Sequence, residues 1–205
     1  MSKLLLRYMR PGDIAQVLFI DNQSFSPPWS ARSYSYEISE SSYSHMVVLT
    51  DGHEQTPTGW RRWLNGLGNS HSDGTILGYG GLWHIADEGH ISTIASHPSH
   101  RGNGYGEIVL AAMLHRAITL KSNYVVLEVR VSNDVAQNMY RKYEFEIVGT
   151  KQNYYRSDNE DAYDMRLDLN DHAIVARFYE RYAALRYETP LIDEYSEMPV
   201  RKKQR

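Results

Sequence analysis

The segment from Gly89 to Leu169 keeps changing its hydrophobic period, and this alternation constrains the fold more than any other feature. "GHISTIAS" alternates as a strand does, and a glycine-rich stretch leads from it into "EIVLAAMLHRAITL", which has helical spacing. "NYVVLEVRV" returns to a period of two, and "NDVAQNMYRKY" to an amphipathic helix. "FEIVGTKQNYY" and "AYDMRLDL" then read as two strands joined by the turn "RSDNED". Strand–loop–helix–strand–helix calls for helices layered on a sheet, and the closing hairpin calls for antiparallel pairing at one end.

The flanks extend this core. "LLLRYM" is a short strand closed by Pro11-Gly12, after which Asp13 is placed to cap a helix through "IAQVLFIDNQSF". Ser30 is placed to cap "ARSYSYEIS", and "HMVVLT" and "TILGYGGLWHI" are further strands. Between those two strands lies a polar insertion, about residues 51–74, too long for a hairpin connection. Its Trp60 and Trp63 read as a local surface cluster, with a substrate lip as the sharper alternative. Residues 1–169 form one expected domain. From Asn170 a helix with Ile174, Phe178, Tyr182 and Leu185 on one stripe begins a C-terminal helical extension, 170–205, ending in the solvated basic tail "RKKQR".

Composition excludes several classes. The 205 residues carry a formal charge of −3, so no basic field points to nucleic acid or an anionic membrane. Cysteine is absent, which removes disulfide scaffolds, thiolate zinc sites and cysteine nucleophiles, and fits a reducing compartment. No apolar run reaches membrane-span length, so a cytoplasmic location is expected. His97 and His100 form an H-x-x-H pair with no accompanying carboxylate pattern, so no metal is expected.

The stretch "HRGNGYGEIV" presents backbone amides at a helix start, a ready anion site. A nucleotidase phosphate loop needs Gly-Lys-Ser/Thr there, but Glu107 follows Gly106. The dinucleotide fingerprint needs G-x-G-x-x-G, whereas Gly102, Gly104 and Gly106 strictly alternate. Downstream, Glu128 lies inside the apolar strand "YVVLEVR", where an unpaired buried carboxylate is costly. Two accounts stand level from the residues alone: an ion pair with Arg130 on the same face, or a general base. Tyr140, twelve residues on, reads as a core residue of an amphipathic helix.

Arg101-Gly102-Asn103-Gly104-Tyr105-Gly106 resembles the R/Q-x-x-G-x-G motif of the GNAT superfamily of acetyl-CoA-dependent N-acyltransferases. "GHISTIASHPSHRGNGYG", "VVLEVRVSNDVAQNMY", "NYYRSDNEDAYDM" and "PPWS" are similar, in order, to motifs of its N-terminal acetyltransferase branch, which includes ribosomal-protein-alanine and archaeal enzymes. The likeness runs from about Leu4 to Leu169, apart from the insertion. It implies an α/β fold (α+β in some schemes) with a mixed, mostly antiparallel sheet of about seven strands flanked by helices.

The resemblance further implies that Arg101 to Gly106 wrap the pyrophosphate of acetyl-CoA, and that Ile94, Ala95 and Ser96 bond its pantetheine arm through main-chain groups. Ser96 stands where members often carry an apolar residue. Asn133 would help hold the coenzyme, or cap its helix. Glu128 would be the general base, with His90 sharing that role through water, and Tyr140 would protonate the departing thiolate. Trp29 and Tyr34 on one side, and Tyr154 and Tyr155 on the other, would grip the acceptor. The implied acceptor is a protein N-terminus, a ribosomal protein among the candidates. The alternatives are a small amine or lysine side chain, or a non-catalytic acyl-CoA-binding module. Oligomeric state is not legible.

Overall fold

The computed structural model describes residues 3–52 and 74–197. Most of the insertion, with Trp60 and Trp63, and the basic tail lie outside the described residues. Eight strands form one sheet: β1 (Leu4–Tyr8), β2 (Ser44–Thr50), β3 (Ile76–Ile85), β4 (Glu88–Ser96), β5 (Tyr124–Arg130), β6 (Glu146–Tyr155), β7 (Glu160–Asp168) and β8 (Leu191–Glu194). Their order is β6-β7-β5-β4-β3-β2-β1-β8, antiparallel except for β4 against β5 and β1 against β8. Among the described residues five α-helices accompany it: α1 (Ile14–Asn22), α2 (Ala31–Ser39), α3 (Tyr105–Thr119), α4 (Asp134–Lys142) and α5 (His172–Glu188). Among the described residues no helix is long and apolar enough to cross a membrane.

The sheet is covered on both faces. Along β2, Val47 and Leu49 join one apolar cluster while Met46 and Val48 join the other, as a period of two requires. The larger cluster centres on α3 and takes in Tyr140 of α4 and Phe178 and Tyr182 of α5; the smaller holds Val17 and Ile20 of α1 and Tyr34 of α2. Helix α3 lies close across β3 because Gly80 lets it: a Cβ there would stand 2.8 Å from Met113 and 2.9 Å from Val109.

Two local expectations are corrected. Asp13 does not cap α1; its carboxylate accepts from both terminal nitrogens of buried Arg7, at 2.7 and 2.9 Å, and so ties the end of β1 to the helix. The sheet has eight strands rather than about seven because "LIDE", in the C-terminal extension, pairs in parallel with β1. Four residues are too few to show a pattern; the open edge of β1 makes them a strand. The expected stripe of α5 does turn inward, and Asp171 caps that helix through the amides of Ala173 and Ile174.

Candidate active site

The site begins where two parallel strands part. β4 and β5 pair only at Glu88↔Tyr124, Gly89↔Val125 and His90↔Val126, after which β4 continues to Ser96 alongside β3 and β5 continues to Arg130 alongside β7. A bulge sets the divergence: Gly81 pairs with Thr93 but Leu82 with Ile91, which leaves Ser92 as the extra residue, its hydroxyl donating to the Gly81 carbonyl. The extra residue moves the strand's faces, so Ile91 packs in the α3 cluster and Ala95 in the opposite one. Past His90, the main chains of Ile94, Ala95 and Ser96 and of β5 flank a cleft with no strand between them.

At the far end of β4 the glycine loop enters α3. Gly102 and Gly104 have φ of +81° and +79°, a conformation that side chains strain, and a Cβ on either would meet nothing within 4 Å. Their role is to shape backbone around open space. Gly106 differs: its φ is ordinary, and a Cβ there would come 3.1 Å from the Ser96 hydroxyl, so it lets the first turn of α3 sit against β4. The first amides of α3 point forward without helical acceptors. Asn103 donates to the His100 carbonyl at 3.0 Å, and Arg101 reaches Ser24 beyond α1 at 3.0 Å. His97 stacks on Phe19 at 5.5 Å and faces His100 at 5.1 Å. Among the described residues no group of three or more His, Asp or Glu could hold a metal ion.

The middle of the cleft holds the charged groups. Glu128 points away from the α3 cluster, which takes its neighbours Leu127 and Val129. Its Oε2 lies 2.8 Å from His90 Nε2, and its Oε1 accepts from Lys151 Nζ at 2.5 Å. Burial alone would raise this carboxyl, but the hydrogen bonds from His90 and Lys151 outweigh it and bring the pKa down to about 2. Lys151 is raised in turn, chiefly by its bond to Glu128. Arg130 goes elsewhere: it donates to Asp158 at 2.7 Å and Glu160 at 2.6 Å and covers the Tyr155 ring at 4.0 Å.

The aromatic residues divide by role. Trp29 stacks against Trp83 at 6.2 Å, and Trp83 meets His90 edge-on at 5.4 Å. Tyr34, expected beside Trp29 on the acceptor side, stands in the core behind Trp29, fully buried, its hydroxyl given to Asp21 at 2.8 Å. Asp21 also accepts from the Trp29 amide at 2.6 Å and from Tyr79. Across the cleft Tyr154 is half exposed, with the Lys151 ammonium 5.8 Å from its ring, and Tyr155 packs edge-on against Tyr154. Tyr140 is buried against Phe145 at 5.8 Å, and burial, with Tyr155 nearby, raises its phenol. Asn133 caps α4, accepting from Ala136 at 3.1 Å.

The cleft thus gathers His90, Glu128, Lys151, Asp164 and Tyr154 at its centre, with Trp29 beyond His90 and the glycine loop at the end of β4. Lys151, Asp164 and Trp83 carry no motif, and the strand register brings them in: Trp83 of β3 opposes His90, Asp164 of β7 opposes Glu128, and Lys151 stands two residues along β6 from Gly149, the other partner of Asp164. Asp21, also without a motif, comes from helix α1.

The family model "Acetyltransferase (GNAT) family" matches residues 14–145. A Bacillus subtilis protein provisionally named as a ribosomal protein bS18-alanine N-acetyltransferase is 31% identical over 83% of this chain and 99% of its own. Among solved structures, the ribosomal-protein-S18-alanine N-acetyltransferase of Escherichia coli superposes with a TM-score of 0.64 at 20% identity, over 81% of this chain and 94% of that one. NAA60 of Arabidopsis thaliana, solved in complex with acetyl-CoA, gives a TM-score of 0.64 at 14% identity, over 82% and 99%. The match of the family model over most of the residues and the full-length likeness to the Bacillus subtilis protein show that the chain belongs to the GNAT family of acetyltransferases.

Proposed function

We propose that this acetyltransferase transfers the acetyl group of acetyl-CoA to the α-amine at a protein N-terminus. The observation that carries the reading is the setting of Glu128, a carboxylate held between His90 at 2.8 Å and Lys151 at 2.5 Å, whose hydrogen bonds keep its pKa well below the ordinary carboxylate value. A carboxylate so weakly basic takes a proton poorly, so the acceptor must be an amine whose ammonium gives up its proton readily near neutral pH. At pH 7 roughly a tenth of an ordinary α-amine is neutral, against less than about one in a thousand lysine side chains. That difference, more than about a hundredfold, favours the α-amine. The name of the Bacillus subtilis relative makes an alanine N-terminus of a ribosomal protein the first acceptor to try.

The residues present fit the donor. Acetyl-CoA, when bound, supplies the acetyl group as a thioester. The amides around Gly102, Gly104 and Gly106 and the start of α3 would hold its pyrophosphate, and the free side of β4 at Ile94, Ala95 and Ser96 would hold its pantetheine arm. Glu128 attracts the acceptor amine by charge and fixes His90, which takes up the proton the amine releases, directly or through water. The Tyr140 phenol, raised by burial, keeps its proton at neutral pH and gives it to the departing sulfur. Trp29 and Tyr154 flank the acceptor.

The test is acetylation, followed by mass spectrometry, of one peptide with a free α-amine and of the same peptide blocked at that amine but carrying lysine, with a polyamine as third acceptor. Modification of the free α-amine is expected. Modification of only the blocked peptide or the polyamine would overturn the reading.

A further inference from the structure

Two carboxylates in the cleft share one lysine. Glu128 of β5 and Asp164 of β7 sit directly opposite each other, an arrangement that costs energy for like charges unless a cation bridges them. Lys151 supplies that cation, 2.5 Å from Glu128 Oε1 and 3.4 Å from Asp164 Oδ2. The three differ in freedom. Glu128 is only 12% exposed in its side chain and its second oxygen is fixed by His90, whereas the Lys151 side chain is 42% exposed on an edge strand. The lysine can leave the carboxylate; the carboxylate cannot follow it. A cation leaving Oε1 already has Asp164 and the Tyr154 ring within reach.

We propose that Lys151 is a placeholder for the acceptor amine, occupying its seat on Glu128 and passing to Asp164 when the acceptor arrives. The inference rests on the reading that Glu128 receives the acceptor amine. Lys151 offsets one of the two negative charges of the carboxylate pair while the cleft is empty, and every acceptor must displace it from Glu128. Asp164 lowers the cost of displacement by taking the lysine over. Lys151 is thus a positioning residue that weakens acceptor binding, and Asp164 matters only through it.

The experiment is a double-mutant cycle on the KM for a peptide acceptor, in the full-length protein, with Lys151→Met, Asp164→Asn and both together. Lys151→Met is expected to lower the acceptor KM about three- to fivefold, the range that a partly exposed ion pair commands. Asp164→Asn is expected to raise it by a similar factor in the native background and less than about twofold beside Lys151→Met. The KM for acetyl-CoA serves as the control, because a general loss of structure would move both constants. A rise in acceptor KM on Lys151→Met, or an equal effect of Asp164→Asn in both backgrounds, would overturn the proposal. So would transfer of an acetyl group onto Lys151 when the protein is given acetyl-CoA alone, seen by intact mass. If only lysine or polyamine acceptors react, the N-terminal reading fails and the same cycle, run on the accepted amine, still decides the role of Lys151.

Discussion

His90 Nε2 lies 2.8 Å from Glu128 Oε2, and the two residues bracket the point at which β4 and β5 separate. His90 belongs to the last residue pair of the parallel ladder, and Glu128 stands two residues past Val126, its partner in that pair. The contact spans the gap at its narrow end, so the carboxylate faces whatever enters between the strands. With Lys151 on its other oxygen, Glu128 is a fixed negative charge more than a strong base.

That charge predicts the pH profile. Because Glu128 is ionised down to about 2, it does not set the acid limb of activity. The neutral fraction of the acceptor sets it, so kcat/KM for an α-amine acceptor rises about tenfold per pH unit below roughly pH 7 and levels off above about pH 8. A limb centred near 4 to 5 would instead assign the titration to Glu128. Glu128→Gln removes the charge, and turnover is expected to fall about a hundredfold with acetyl-CoA binding, measured by calorimetry, unchanged.

The same depressed pKa has a stability consequence of definite sign. A carboxyl lowered from an ordinary value near 4.5 to about 2 in the folded state contributes stability that is complete above about 4.5 and is lost as pH falls through 2. Glu128→Gln should therefore lower the thermal midpoint at pH 7, where that contribution is complete, and flatten its fall between about pH 4.5 and 2, so that the variant and the native protein converge near pH 2. An unchanged slope in that window would show that the His90 and Lys151 bonds do not hold in solution.

Tyr140 sits on the opposite side of the sheet's mean plane from Glu128. It packs in the α3 cluster, whereas Glu128 turns away from it, and only the parting of β4 and β5 leaves a path between the two. Tyr140→Phe keeps the ring that packs on Phe145 and removes only the hydroxyl. Turnover is expected to fall ten- to a hundredfold, an effect of about 1.4–2.7 kcal/mol on the barrier. Single-turnover measurements locate the loss: thiol release slows, and replacing the thioester by an ester analogue with a different leaving group changes the size of the defect.

How far the sequence carried this picture depends on what each feature needs. The glycine loop, the α3 helix and the β5 strand are local patterns, and their periodicity places them; Ser30 and Asn133 cap their helices as their spacing predicts. The choice between Arg130 and catalysis for Glu128 was not legible, because it depends on which residue β6 brings alongside. Lys151 takes that place only through the β5–β7–β6 register, interrupted by shifts near Ile147 and Lys151 that no periodicity signals. Tyr34 shows the same limit. Its position beside "PPWS" suggests an acceptor wall, but the buried Asp21 draws its hydroxyl inward. Strand β8 is legible only from the edge it completes.

Gly104→Ala isolates the loop's backbone from its packing. A Cβ there meets nothing within 4 Å, so the cost comes from φ of +79° alone, about 1–2 kcal/mol for an L side chain. The expected outcome is a thermal midpoint lowered by a few degrees and acetyl-CoA binding weakened tenfold or more, because relief of the strain rotates the amides at the start of α3. Calorimetry with acetyl-CoA and with dephospho-coenzyme A checks it. Unchanged affinity for both would separate the loop's conformation from coenzyme binding.

Asp21 supports from beneath the segment that carries Trp29, the proposed acceptor wall. The carboxylate is buried and takes hydrogen bonds from the Trp29 amide, Tyr34 and Tyr79, so it fixes the segment that holds Trp29 against Trp83 and, through Trp83, against His90. Asp21→Asn exchanges an acceptor-only group for one whose amide nitrogen must face a donor, leaving at least one buried partner unpaired. A destabilisation of about 1–3 kcal/mol follows, read from denaturant unfolding. On the proposal that Trp29 flanks the acceptor, the kinetic effect should fall on the acceptor: its KM rises several-fold while the KM for acetyl-CoA holds. Trp29→Ala should raise the acceptor KM similarly with a smaller loss of stability, since it removes the wall and leaves the buried carboxylate with its donors. An Asp21 variant that loses stability with both Michaelis constants intact would confine that residue to the core and leave the acceptor wall to Trp29 alone.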